Sequence, residues 1–228
     1  MIHQIGDWAS VNDGGDTSGN GQLSVSCGNE YFGRVQRSGY AELTTDTSGN
    51  EARLNVIQEG ATEFVQIQTV STPSAAGGSV IVTGYTNSSK LTFAVSGAAA
   101  SAVTLPSTYT ISYGSGGSAQ TLTVNNGSAI TGDPGVTQRL SFSITLTLAE
   151  NTTVSARKFT LSVTPNSGNA TTEEITQPAG TDYICFDSVG GPTTKTITFN
   201  AKGAVGTATS VNVDVYSNDD WSITAAEN

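Results

Sequence analysis

Hydrolysis or group transfer by side chains needs a nucleophile, a base beside it and a group that orients the base. The chain holds one histidine, His3, and two cysteines, Cys27 and Cys185. His3 lies near the start with no neighbour in the sequence to hold it, so neither a Ser-His-Asp nor a Cys-His arrangement is predicted. No catalytic residue is expected. These three residues also lack the paired Cys-x2-Cys spacing of a tetrahedral zinc site. The stretch Asp13-Gly-Gly-Asp16-Thr-Ser-Gly-Asn20 offers oxygens to calcium without the alternating acidic order of a calcium loop, and reads as a glycine-rich connection. No metal and no cofactor are expected.

Sugar recognition would need exposed aromatic faces flanked by polar groups, and Trp8, Tyr31, Phe32, Tyr40, Tyr216 and Trp221 are available. Large aromatics in a small β domain more often fill the core, so Trp8 and Trp221 are assigned structural roles. The pair Tyr31-Phe32, between Asn29 and Gly33, is the better candidate for exposure, and with Tyr40 it forms the candidate carbohydrate-binding set. Arg37 and Arg157 recur beside strands. A structural task is expected of both, bonding to carbonyls or pairing with a carboxylate.

The elements that must position these residues are strands. Only 12% of the 228 residues are charged, helix formers are sparse, and Gly, Ser, Thr, Asn and Val are abundant, which favours pleated strands joined by turns. The class is all-β. The net charge of −10, with nine scattered Lys and Arg, excludes nucleic acid as a partner, because phosphate binding needs clustered cations. No apolar run approaches the length of a membrane span, and no charged-then-apolar leader opens the chain. The cysteines read as small buried or half-buried thiols, with a disulfide between them left open.

The sequence repeats itself, and the repeats organise it. Arg37-Ser-Gly-Tyr40-Ala-Glu-Leu43, a Ser48-Gly49-Asn50 turn and Val56-Ile57-Gln58 return as Arg157-Lys-Phe159-Thr-Leu161-Ser-Val163, Ser167-Gly168-Asn169 and Ile175-Thr176-Gln177. Each copy predicts a β-hairpin. A second piece, Ser79-Val80-Ile81-Val82, Tyr85-Thr-Asn87, Leu91-Thr-Phe93, returns as Ser210-Val211-Asn212-Val213, Tyr216-Ser-Asn218, Trp221-Ser-Ile223 and predicts strand, turn, strand. Gly6-Asp7-Trp8-Ala9-Ser10 resembles the surroundings of Trp221, so Trp8, Leu91 and Trp221 mark equivalent points.

The longer second interval places an insertion at about 96–138 with its own predicted hairpin, Tyr109–Tyr113 and Gln120–Val124. It is either an interaction surface or an elaborated edge. The units are 1–61, lacking its opening strands; 62–180, complete with the insertion; and 181–228, the opening strands of a further unit. A half sandwich exposes an apolar face and open edges. Closure of the two partial units within one chain, between copies, or within a longer array all remain open.

The Trp-Ser-Ile after an Asn-Asp turn, Gly19-Asn-Gly-Gln-Leu-Ser-Val25, Asn29 with Arg37, Asn151 with Arg157, and the closing Ile-Gln resemble the BACON domain, a Bacteroidetes-associated module linked with carbohydrate binding. The inserted segment falls outside the resemblance, and Leu91 stands where the family has Trp. The resemblance implies tandem immunoglobulin-like antiparallel β-sandwiches. Such domains occur in exported polysaccharide-handling proteins and in virion proteins of crAss-like phages. Without a leader or a catalytic module, the second setting is favoured. It implies a non-enzymatic head-fibre or capsid-decoration subunit, assembled in the host cytoplasm. Its partners would be further copies of itself, other virion proteins, and host or mucosal glycans. The alternative is a carbohydrate-binding module at a bacterial surface.

Overall fold

The computed structural model describes residues 1–14 and 19–226, so Asp16 of the glycine-rich connection lies outside the described residues. The protein is all-β and its ladders are antiparallel. The strands of the first part are β1 (Ile2–Ile5), β2 (Ala9–Asn12), β3 (Ser24–Cys27), β4 (Arg37–Thr44) and β5 (Glu51–Gln58). The middle part holds β6 (Val65–Val70), β7 (Gly78–Thr86), β8 (Leu91–Ser96), β9 (Val103–Thr104), β10 (Thr108–Tyr113), β11 (Gln120–Asn125), β12 (Leu140–Leu148), β13 (Arg157–Pro165) and β14 (Thr171–Gln177). The last part adds β15 (Ile184–Phe186) and β16 (Val215–Ser217). No helix among the described residues is long and apolar enough to cross a membrane.

The middle part is a sandwich. One sheet runs β11-β10-β12-β7-β6, with β9 also paired to β12, and the other runs β14-β13-β8. Strict alternation makes the core: in Leu140-Ser-Phe142-Ser-Ile144-Thr-Leu146-Thr-Leu148 every apolar residue is buried. Facing them are Leu91 and Phe93 of β8, Phe159, Leu161 and Val163 of β13, and Ile175 of β14. Each fully buried side chain of this size contributes about 1.5–3 kcal/mol relative to exposure. The Phe93 ring meets Phe142 nearly edge-on at 5.7 Å and Tyr109 at 4.9 Å, favourable aromatic geometries. Gly84 in β7 is required by this packing, since a Cβ there would collide with the Phe142 ring and the Gln66 carbonyl.

The insertion is part of that sandwich. Its hairpin, β10 and β11, joins the sheet beside β12, and Tyr109, Ile111 and Val124 enter the core. The Tyr109 hydroxyl accepts a hydrogen bond from the Leu91 N–H at 3.3 Å, so the insertion ties both sheets.

The first part is thinner. A three-stranded sheet, β1-β2-β3, lies against the β4-β5 hairpin, and its buried residues are Ile5, Trp8, Ala9 and Val11, backed by Ala41, Leu54 and Val56. In the last part the ladder of β15 and β16 is three residue pairs long. The strands expected at Ser210–Val213 and at Trp221–Ile223 are irregular, and only Val215–Ser217 is extended and paired. A strand without a neighbour has no partner for its backbone and no surface to cover its apolar face. Among the described residues, β15 and β16 pair with each other and with no strand of the first part.

Candidate functional site

The recurring Arg and Gln meet across each hairpin. In the second copy the Arg157 Nε donates to the Gln177 Oε1 at 2.8 Å, and Nη2 donates to the carbonyls of Ala149 at 2.7 Å and Glu150 at 3.2 Å. The amide of Gln177, fully buried, donates to Ser74 O at 2.8 Å and Ala149 O at 3.0 Å. The pair bolts the open end of the hairpin to the end of β12. In the first copy the Arg37 Nε donates to the Gln58 Oε1 at the same 2.8 Å, and the Gln58 amide donates to Asn29 O at 2.9 Å. Here the rest of the guanidinium lies over the rings of Trp8, at 4.9 Å, and Tyr31, at 4.4 Å. Both arginines thus face protein groups.

A second repeated device passes unread in the sequence, where Tyr85-Thr-Asn87 and Tyr216-Ser-Asn218 show only as repetition. Asn87, fully buried, donates to Phe32 O at 2.9 Å and Thr62 O at 3.0 Å and accepts from the Phe64 N–H at 2.9 Å. Asn218 donates to Thr152 O and Thr181 O, both at 2.9 Å, and accepts from the Tyr183 N–H at 3.0 Å. Each asparagine fastens the segment that leads into its own unit to a loop of the unit before. The first junction is reinforced by the N–H groups of Arg34 and Val35, which donate to Gly135 O and Val136 O, and by the Arg34–Asp133 ion pair.

The candidate carbohydrate set is divided among three places. Tyr31 stacks with Arg37, and Phe32 sits in the first junction, 6.1 Å from the Phe64 ring and beneath the guanidinium of Arg139 at 4.7 Å. Tyr40 is exposed on the β4-β5 hairpin with Arg53 over its ring at 4.0 Å. No one face presents all three. His3 is exposed on β1, 3.6 Å from an oxygen of Asp13. Both cysteines are thiols: Cys185 is buried and donates to Ser188 O, whereas Cys27, expected to be at least half-buried, is exposed because its strand's face carries no second layer.

The largest departure is at Trp221. Trp8 is buried, as expected of a structural aromatic, but Trp221 is 50% exposed and Ile223 79% exposed. With Ile184, Phe186, Ile197 and Val213 they line a mainly apolar cleft of about 530 Å³. Their equivalents in the middle part, Leu91 and Phe93, are 0% and 2% exposed because β13 lies beside β8 and the opposite sheet covers it. Among the described residues, no strand covers this apolar face of the last part.

No protein-family model matches this chain, and no curated protein matches it.

Proposed function

We propose that the chain is a non-enzymatic structural protein whose immunoglobulin-like units assemble by completing one another. In the reading favoured by its resemblance to BACON-like repeats, it is a head-fibre or capsid-decoration subunit of a phage of Bacteroidetes. The single observation that carries this reading is the exposed face around Trp221 and Ile223. A face that is core in the equivalent unit is costly to leave in water, at roughly 25 cal/mol per Å² of apolar surface, and strands of the β13 type from a second copy would cover it.

Light scattering on the purified chain over a range of concentrations tests this. Concentration-dependent oligomers that vanish in Trp221→Asp and Ile223→Asp, with unchanged thermal melting of the middle unit, are expected. A strictly monomeric parent chain at every concentration sinks the proposal.

A further inference from the structure

The outer face of the large sheet carries a feature that the assembly reading does not use. Two depressions of about 360 and 510 Å³ adjoin there, sharing Tyr85, Ser112 and Ser141. They cross β6, β7, β12, β10 and β11. In a protein of net charge −10, no carboxylate lines either of them.

Their floor is a hydroxyl array set by strand register. Thr69 pairs with Thr83, Thr83 with Ser143, and Ser143 with Thr110. A parallel row runs from Tyr85 through Ser141 and Ser112 to Thr121. Neighbouring strands lie about 4.8 Å apart, so hydroxyls recur along the groove at about that spacing. Those of Thr69 and Thr83 and of Ser112 and Thr121 bond in pairs, and Thr110 donates to Ser143 O, which leaves their remaining lone pairs and the hydroxyls of Ser141 and Ser143 to face a ligand.

At the rim stands Arg139. Its guanidinium carbon lies over the Tyr85 ring at 4.2 Å and over the Phe32 ring at 4.7 Å. Two aromatic rings thus hold a planar cation, while no carbonyl, carboxylate or hydroxyl of the described residues accepts a hydrogen bond from its side chain. The other guanidinium at this junction, Arg34, is by contrast committed to Asn87 O and Asp133. A guanidinium fixed by stacking, with its N–H fork unspent, is prepared for two-point bonding to a carboxylate.

We propose that this groove binds a saccharide bearing a carboxylate, the acid on Arg139 and the hydroxyls of the chain along the Ser/Thr rows, with Gln120 and Tyr113 closing the end. The site spans two units, since Phe32 comes from the first part and the remainder from the middle. It is independent of whether the last part assembles with a second copy, because none of its residues lies beyond Ser143.

The test is calorimetric titration of the full chain with tri-galacturonate and with 3′-sialyllactose, against galactotriose and lactose as neutral counterparts and hexaglutamate as an acidic peptide. At least one acidic saccharide is expected to bind saturably, at least tenfold more tightly than its neutral counterpart, with affinity falling as salt rises. Arg139→Ala should weaken that binding tenfold or more, and Arg139→Lys should restore only part of it, because the charge survives without the fork. Ser141→Val, which leaves Arg139 and the junction in place, should weaken it severalfold. Thermal melting within a degree or two of the parent chain establishes that each variant is folded. Absence of saturable binding by both acidic sugars, equal binding of the neutral sugars or of hexaglutamate, or a folded Arg139→Ala chain with unchanged affinity would each overturn the proposal.

Discussion

Leu91 and Trp221 occupy the same point of the same repeat, yet one is sealed in a core and the other stands half in water. Their local sequences alternate alike, and both follow a tyrosine and a clamping asparagine. What differs is cover. β8 has β13 beside it and the opposite sheet above it, while the residues around Trp221 have neither and form no strand. Alternation supplies a face that is able to be buried; the ladder appears only when another strand arrives to use it.

The largest effect on this contrast should come from the middle core. Phe142→Ala is expected to cost about 3–5 kcal/mol in urea denaturation, whereas Ile223→Ala should change the monomer's stability by less than about 0.5 kcal/mol. Comparable losses at the two sites would mean that the terminal face is covered in solution.

Next come the two copies of the Arg–Gln bolt. Gln177→Ala strands buried carbonyls and the Arg157 Nε, and should cost about 2–3 kcal/mol; Gln58→Ala, half-exposed, should cost about 1 kcal/mol. Chemical denaturation of each single variant gives both values, and a reversed order would show that burial is not what separates the copies.

The junctions offer a finer test. Asn87→Ala should cost about 1–2 kcal/mol and speed amide exchange at Phe64 more than Asn218→Ala, which should cost about 0.5–1 kcal/mol, speeds it at Tyr183.

The smallest effect concerns Glu63, beside the first junction. Partial burial pushes its carboxyl up, but hydrogen bonds from the Ser167 and Ser88 hydroxyls and the Ser89 N–H, with the field of Arg34, outweigh this and hold it below the usual range. A carboxyl depressed in the folded state stabilises above its unfolded value, and that contribution is lost as pH falls through the folded one. Glu63→Gln should therefore flatten the acid limb of the stability curve by less than about 1 kcal/mol, since the group is largely open to solvent. Melting temperatures from neutral pH down to pH 3 would record it.

The hairpins were legible because their information is local. Period-2 alternation and a Ser-Gly-Asn turn set Arg37 opposite Gln58 and Arg157 opposite Gln177. The inserted hairpin was legible for the same reason, but its place beside β12 was not, since strand neighbours distant in sequence leave no local mark. Tyr31, Phe32 and Tyr40 read as one aromatic group, and arginines divide them: Arg37, Arg139 and Arg53 each take one ring. Those pairings join residues from separate strands and loops. Asn87 and Asn218 were visible as a repeat with no stated task, because their partners are peptide groups, which every sequence contains.

That last property reaches beyond stability. The carbonyls of Phe32, Thr62, Thr152 and Thr181 and the N–H groups of Phe64 and Tyr183 are all that the two asparagines touch in their clamps. The clamps themselves read only the main chain and are indifferent to the side chains at those positions, apart from proline at Phe64 or Tyr183, which would remove a donor. In the first junction Phe32 is held besides by its packing against Phe64 and Arg139. The neighbouring loops are thus free to drift in sequence, and to acquire new binding chemistry, while two asparagines keep one unit aligned on the next.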